Sequence, residues 1–552
     1  MNKFTFLCYI KIIEMKSNIT LMGLGALSMI PYSQNAVAQK KDQRPNILLI
    51  LADDMGYSDL GCYGSEISTP NLDKLASEGL RMTQFYNTSR CCPTRASLLT
   101  GLYQHQAGVG HMVNNLNFPG YVGHLNTQCV TMAEALKANG YNTYMSGKWH
   151  IGGAPEYWPH KRGFDRFFGL IDGASNYFKL IPYRNNQSAP RMALDDSLYT
   201  PPAENFYMTN AITDYALRFL EEEKPKKEPF FLYLAFTAPH WPLHALPEDI
   251  AKYRGKYLKG WDKLRMERYI KLAQLGIIDS TKIKLSPRDE KSKDWEKLSQ
   301  EEKNMWDLRM AVYAAMVDRM DQNIGRVLKK LDEMGEKKNT LIIFLSDNGG
   351  SHEPIKNFQN YVRMPGETGT PESLDSYEYN WANLSNTPFR LFKHWVYEGG
   401  ISTPFIAWNP KLIKPSINNQ AGHITDLMPT FMDISGSKYP KKYNGNIILP
   451  MEGKSLTPIF NDKKLKRKNP IFFEHQGNRA VRDGNWKLVS KYDEENKRFL
   501  KWELYNMDTD RSELHDVSEQ YPDVTVRLIL KYEEWAKRAG VVSKEIIDRK
   551  KN

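Results

Sequence analysis

The sequence predicts an α/β fold: a large, mixed, mostly parallel sheet flanked by helices, followed by a smaller C-terminal α+β subdomain. Three observations predict it. Four short apolar runs each end in a cluster of polar, reactive residues. Helical patterns with clear start and stop signals fall between those runs. Past about residue 440 the pattern changes to short strands and a final helix. Strands that alternate with helices indicate parallel pairing, because each parallel pair needs a crossover.

The first run, Asn46 to Leu51 (NILLIL), stops at Ala52-Asp53-Asp54. A helix follows at Thr69 to Ala76, with a Thr cap, a Pro at its first position and Gly79 to stop it. Thr131 to Ala138 reads as a second helix, closed by Gly140. The next run, Tyr141 to Ser146, stops at Gly147-Lys148-Trp149-His150. Phe230 to Phe236 (FFLYLAF) stops at Thr237-Ala238-Pro239-His240. Residues 245–305 are charged and read as an inserted stretch of helix and loop. Met305 to Met334 is a long amphipathic helix stopped by Gly335. Thr340 to Leu345 (TLIIFL) stops at Ser346-Asp347-Asn348-Gly349-Gly350. Residues 351–387 read as a long loop over the cleft. In the C-terminal part, Pro470 to Glu474, Ala480 to Arg482 and Trp486 to Tyr492 read as strands, and Tyr521 to Ala539 as the last helix.

In open α/β sheets, ligands bind outside the carboxyl ends of the strands. Asp53, Asp54, Lys148, His150, His240, Asp347 and Asn348 are therefore expected to meet in one cleft, although nearly 300 residues separate the first from the last.

The chain has 552 residues, 41% apolar and 25% charged, which excludes a disordered or fibrous protein and allows a large core. Near the N-terminus, Lys16, the apolar stretch Ile19 to Met29, Pro31 and Ala36-Val37-Ala38 read as a targeting signal with cleavage near Ala38. Met15 is a candidate start for it. The apolar stretch is too short to span a bilayer, so no membrane insertion is expected. This predicts a periplasmic or secreted protein. Cys62, Cys91, Cys92 and Cys129 lie beyond the signal, too few for a disulfide framework, although a Cys62–Cys129 bridge is open. The formal charge is +11; residues 1–38 hold three lysines and one glutamate, which leaves +9 for the rest. A basic chain favours anionic partners. Without zinc-finger spacing, an RNA-binding aromatic motif or a clean helix-turn-helix, nucleic acid is not expected among them.

Asp53-Asp54 and Asp347-Asn348 offer four oxygen-bearing side chains, the donors that hard cations take. Cys91 stands just before a helical stretch, Ala96 to Leu102, where free backbone N–H groups favour an anion. Arg95 adds a fork suited to tetrahedral oxyanions. On residue type alone, Cys91 is a thiolate nucleophile, part of a vicinal-thiol metal site, or one of two inert thiols. Lys148 and Lys393 can hold an anionic group, and His150 and His240 can move protons near neutral pH.

Cys91-Cys92-Pro93-Thr94-Arg95, followed by Leu99-Thr100-Gly101, resembles the C-x-P-[ST]-R…TG signature of type I, formylglycine-dependent sulfatases. LADDMGYSDLGCYG at 51–64, GKWHIGG at 147–153, APHWP at 238–242 and SDNGG at 346–350 agree with it, as does the segment 386–410 around Lys393. The style is similar to bacterial arylsulfatase-like enzymes of the alkaline phosphatase superfamily, and no residue of these motifs departs from the pattern.

The resemblance implies residues 39–439 as the catalytic domain and 440–552 as its subdomain. It implies conversion of Cys91 to formylglycine by a sulfatase-maturating enzyme, and a Ca²⁺ held by Asp53, Asp54, Asp347, Asn348 and the modified Cys91. It implies Asp347 as base, His240 as proton donor to the leaving alcohol, and Lys148 and Lys393 as sulfate holders. Arg95 would orient the nucleophile, and His150 would take the proton that releases sulfate. Export, a basic surface and the long loop before Lys393 suit a sulfated carbohydrate as substrate, with galactose 3-sulfate as the first expectation and aryl sulfates as surrogates. A phosphate or phosphonate monoester hydrolase on the same scaffold and a non-catalytic sulfated-glycan-binding protein are the alternatives. His244, Arg363 and His475 are unranked candidates for specificity.

Overall fold

The computed structural model describes residues 44–551 apart from Pro225. The targeting signal lies outside the described residues. One large sheet organises the chain. Its strands are β1 (Asn46–Ala52), β2 (Leu80–Tyr86), β3 (Asn142–Gly147), β4 (Arg166–Leu170), β5 (Met192–Leu194), β6 (Ser197–Tyr199), β7 (Phe230–Ala235), β8 (Thr340–Ser346), β9 (Ser402–Trp408), β10 (Ser416–Asn418) and β11 (Gly422–His423). They run in the order β10-β2-β9-β8-β1-β7-β3-β4-β5-β6, with β11 beside β2. The centre, β8-β1-β7-β3-β4, is parallel throughout. β9 runs antiparallel to β8 and β2, and β5 antiparallel to β4 and β6.

β1, β7 and β8 are buried along their whole length, which is why they read as unbroken apolar runs rather than alternating ones. Alternation survives in three dimensions. Leu48, Ile50 and Ala52 face one core, and Ile47, Leu49 and Leu51 face the other.

The four strands read from the sequence are four neighbours, β8-β1-β7-β3. Ala52 pairs with Ser346, Leu51 with Ala235, and Gly147 with Ala235. This register brings Asp53, Asp347 and Lys148 past the sheet edge at one level. β2 and β9 were not read as strands; both lie within stretches whose motif residues dominate the pattern.

The helices start where capping chemistry allows. α1 is Pro70–Glu78, α2 Cys91–Thr100, α3 Met132–Lys137, α4 Met208–Glu223, α5 Pro247–Ala251, α6 Trp261–Gln274, α7 Gln300–Glu333 and α8 Glu378–Ser385. α7 begins five residues before the expected Met305, because Ser299 and Glu302 form a capping box. α2 begins at Cys91 rather than Ala96. Pro93 is no obstacle, since N–H groups of a first turn need no helical partner. The loop expected at 351–387 includes α8.

Beyond the large sheet, Ile471–His475, Asn478–Asp483, Trp486–Ser490 and Glu503–Asn506 form a four-stranded antiparallel sheet. Phe472, Val481, Leu488 and Leu504 on one face pack on Leu528, Tyr532 and Trp535 of the helix Pro522–Ala539. Ile471, Phe473, Ala480 and Val489 on the other pack on Val396, Tyr397 and Ile401, just past Lys393. Cys62 and Cys129 are both free and buried, so the open question of a bridge between them resolves against one.

Candidate active site

The strand ends build the site. β1 gives way to Asp53, whose N–H donates to Ala238 O at 3.0 Å, and to Asp54 in the left-handed region at φ +67°. His150 after β3 is also left-handed, at φ +55°. Such backbone costs on the order of 1 kcal/mol or more per residue.

Three carboxylates converge there. The Asp54 N–H donates to Asp347 Oδ1 at 3.1 Å, and Asn348 Nδ2 donates to Asp54 Oδ1 at 2.7 Å. Carboxylate oxygens of Asp53 and Asp54 and a ring nitrogen of His240 lie within 4.8 Å of one another. Three cations answer them. Lys148 Nζ donates to Asp53 Oδ2 at 2.6 Å, Lys393 Nζ to Asp54 Oδ2 at 2.8 Å, and Arg95 Nη2 to Asp347 Oδ2 at 2.8 Å. Arg95 is four residues after Cys91 on α2, so both look from one helix face toward the strand ends.

Cys91 Sγ lies 3.5 Å from His150 Nδ1. A hydrogen bond from Cys92 holds the Cys91 thiol well below its ordinary value, helped by Lys148 and His150 and opposed by burial. Burial lowers His150. Burial also holds His240 down at about 3, against the pull of Asp54. His240 Nδ1 donates to Trp241 O at 2.5 Å, which leaves Nε2 facing Lys393 Nζ at 3.3 Å and Asp54 Oδ2 at 3.4 Å. Gly173 makes room for His150: a Cβ built there would lie 2.5 Å from His150 Nε2.

The acidic cluster fits a hard cation. Asp53 Oδ1 and Asn348 Oδ1 are buried oxygens without a hydrogen-bond partner. Burial and the neighbouring Asp347 raise Asp53 well above the carboxylate range, although Lys148 and Arg95 pull it down. A divalent cation would satisfy both oxygens and relieve that repulsion. Cys91, Cys92 and His150 also come together, but their sulfur and nitrogen atoms are a soft donor set.

Four of the ten expected site residues, Cys91, His150, His240 and Lys393, line a cavity of about 720 Å³. Asp53, Asp54, Arg95, Lys148, Asp347 and Asn348 are buried and joined to that set and to one another by these contacts. Two charged residues were missed in the sequence. Glu353 pairs with Arg90 at 3.0 Å and Lys393 at 3.3 Å, and accepts from Trp241 Nε1 at 2.8 Å. Burial opposes its ionisation, but Lys393 and Arg90 hold its carboxyl well below the usual range. Arg90 had a signal, its place beside Cys91; Glu353 had none. His244, Arg363 and His475 do not line the cavity. His244 Nε2 instead donates to Ser373 O at 2.9 Å, and its Nδ1 accepts from the Tyr177 N–H at 3.3 Å.

A family model described as Sulfatase matches residues 45–437, and one described as N-sulphoglucosamine sulphohydrolase, C-terminal, matches residues 389–538. The chain is 37% identical to an uncharacterized sulfatase of Schizosaccharomyces pombe, over 92% of this chain and 96% of that one. It is 36% identical to an arylsulfatase of Klebsiella aerogenes, over 80% and 97%. Among solved structures, Ps i-CgsB in complex with k-i-k-neocarrahexaose matches 89% of this chain and 93% of its own, with a TM-score of 0.65 and 27% identity.

Proposed function

The chain belongs to the sulfatase family of sulfuric ester hydrolases, and from that premise we propose that it is an exported enzyme that removes sulfate from carbohydrates, with galactose 3-sulfate as the first substrate to test. We propose that Cys91 is converted to formylglycine and that Asp53, Asp54, Asp347 and Asn348 hold Ca²⁺ beside it. The observation that carries this is the Cys91 Sγ beside His150, on a buried helix start adjoining an acidic cluster with two unpartnered oxygens.

Formylglycine would supply a carbon bearing two hydroxyls, one to displace the alcohol and one whose deprotonation releases sulfate. Calcium would supply a fixed positive charge for developing negative charge. The chain's own residues do the rest. Lys148 and Lys393 meet the sulfate oxygens, and their charge is already set toward the site by Asp53 and Asp54. Arg95, tied to Asp347 and to Lys148 O, fixes the position of residue 91. His240 has its Nδ1–H committed to Trp241 O, so Nε2 is the atom that exchanges a proton with the leaving oxygen. His150 Nδ1, nearest to residue 91, takes the proton that frees the sulfate. Arg90, Glu353 and Trp241 stand on the cavity wall beside Lys393, where a sugar's hydroxyls would meet them.

The test is expression with a sulfatase-maturating enzyme, hydrazide capture of an aldehyde on the Cys91 peptide, and turnover of 4-nitrophenyl sulfate against 4-nitrophenyl phosphate. Aldehyde at residue 91 with higher kcat/KM on the sulfate is expected. A protein that lacks the aldehyde under conditions that mature a control sulfatase, or that prefers the phosphate, overturns the reading.

A further inference from the structure

We propose that Arg184 receives a second anionic group of the substrate, so that the preferred substrate carries a sulfate or carboxylate besides the sulfate removed. The inference rests on the sulfatase reading and names the substrate class more narrowly.

Charge pairing around the cavity carries it. Four arginine and lysine side chains line the same space: Arg90, Arg184, Arg191 and Lys393. Three have carboxylate partners. Arg90 pairs with Glu353 at 3.0 Å, Lys393 with Asp54 at 2.8 Å, and Arg191 with Asp172 at 2.6 Å. Arg184 forms no ion pair among the described residues. Its guanidinium lies over the rings of Tyr183 and Tyr361, 5.6 and 5.2 Å from their centroids, and Nη2 donates to Tyr361 Oη at 3.1 Å. Its Nε is buried without a partner.

Aromatic faces steady a guanidinium without neutralising it. With Nε buried and one Nη2 proton given to Tyr361, the remaining N–H groups at the Nη1/Nη2 end are the ones that would meet a carboxylate or sulfate. The position is built rather than dangling. Val362 N–H donates to Tyr183 O at 3.0 Å and Asn185 N–H to Asn360 O at 2.8 Å, so two distant loops clasp each other around Arg184. Trp241 packs edge-on against Tyr183 and Tyr361, which links this clasp to the loop that carries His240. A cavity of about 720 Å³ lies in the upper half of the usual range for ligand sites, roughly 300–1,000 Å³, and has room for more than one charged group.

The test uses matched sulfated disaccharides that differ by a second sulfate, or by a uronate in place of a neutral hexose. Their dissociation constants are measured by calorimetry on the Cys91→Ser protein, with and without Arg184→Gln or Arg184→Lys. Where the pairs are turned over, kcat/KM is measured on the matured enzyme. With Arg184 present, the dianionic member is expected to bind about ten-fold or more tightly, as a charge-assisted contact allows. Arg184→Gln should erase that preference, Arg184→Lys should restore part of it, and turnover of 4-nitrophenyl sulfate by Arg184→Gln should stay within about two-fold. The sulfate and uronate pairs show which anion is read. A preference that is absent with Arg184 present, or that persists in Arg184→Gln, overturns the inference. Because binding is read without catalysis, an inactive enzyme would overturn the sulfatase mechanism and leave this test decisive.

Discussion

Replacing Lys487 by methionine probes how the C-terminal sheet supports the loop that carries Lys393. Lys487 Nζ lies 3.0 Å from Glu398 Oε1 and 2.7 Å from Glu513 Oε1, and all three side chains are fully buried. Arg511 Nε holds the other Glu398 oxygen at 2.8 Å, and the Glu398 N–H donates to Glu513 Oε2 at 2.8 Å. Glu398 is five residues from Lys393, on the turn whose neighbours pack against the sheet. Methionine fills the space of the lysine stem but strands the Glu513 carboxylate and leaves Glu398 to Arg511. Breaking a buried pair in this way costs roughly 3–5 kcal/mol. At about 2.1 cal/mol/K per residue over roughly 500 residues, the unfolding entropy is near 1 kcal/mol/K, so Tm should fall by about 3–5 °C.

The pH dependence sharpens the test. Burial raises Glu513 from 4.5 to about 7; Lys487 opposes the rise and Glu398 adds to it. A carboxyl whose folded value is raised favours the protonated folded state. Its penalty is absent below its ordinary value, grows as pH rises, and is complete above about 7. Loss of Lys487 raises the group further. The Tm deficit of Lys487→Met should therefore be larger near pH ~8.5 than near pH ~5.5. Scanning calorimetry at the two pH values measures it. An equal deficit at both, or none at either, would refute the reasoning that Lys487 compensates Glu513.

Gly173→Ala places a Cβ against His150 Nε2; kcat on 4-nitrophenyl sulfate should drop at least about ten-fold, as displacements near 1 Å at a reacting centre do, with aldehyde at residue 91 unchanged by mass. Cys92→Ser should keep both maturation and turnover within a few-fold, because Cys92 does not line the cavity and a serine keeps a donor toward residue 91; loss of the aldehyde in that variant would refute this. Chelation should abolish turnover and lower Tm, and added Ca²⁺ should restore both; an unchanged Tm would deny the acidic cluster its ion. His244 is held down at about 4 by burial, so its contribution is fully present above about pH 6.5 and lost as pH falls toward 4; urea titrations should show an acid loss on the order of 3 kcal/mol that is smaller in His244→Gln.

What the sequence discloses follows from the range of the forces involved. Strand interiors are buried on both faces, so composition alone marked β1, β3, β7 and β8, and the switch to polar residues marked their ends. Because parallel strands point one way, those ends had to share an edge, and seven expected residues fell together. Glu353 shows the limit. Its partners Arg90 and Lys393 are 263 and 40 residues away, and the loop that brings it in has no periodicity to read. His244, one of three unranked candidates, shows what residue type alone leaves open: its two nitrogens are spent on the backbone of Tyr177 and Ser373. The Ser299–Glu302 box is local chemistry that the sequence does show, and it starts α7 five residues ahead of the expected Met305.

A site that takes an anion would be poorly served by three carboxylates if they stood alone. Asp53, Asp54 and Asp347 are matched one for one by Lys148, Lys393 and Arg95, and Glu353 is shared between Arg90 and Lys393. Without a further ion the buried centre is close to neutral and has little attraction for sulfate. A divalent cation on the unpartnered oxygens of Asp53 and Asn348 changes the balance to about +2. The lysines that now rest on Asp53 and Asp54 would then have reason to turn toward the incoming anion. On the proposed reading the carboxylates would be the means by which the site becomes positive, and the ion they would hold would govern substrate affinity as well as the chemical step. A cation needed only for folding or for the chemical step would leave binding of a sulfated sugar to the Cys91→Ser protein unchanged when it is removed from protein that stays folded. One that sets the site's charge should weaken that binding on chelation and restore it on reloading, and Asn348→Ala should raise the cation concentration needed for the restoration.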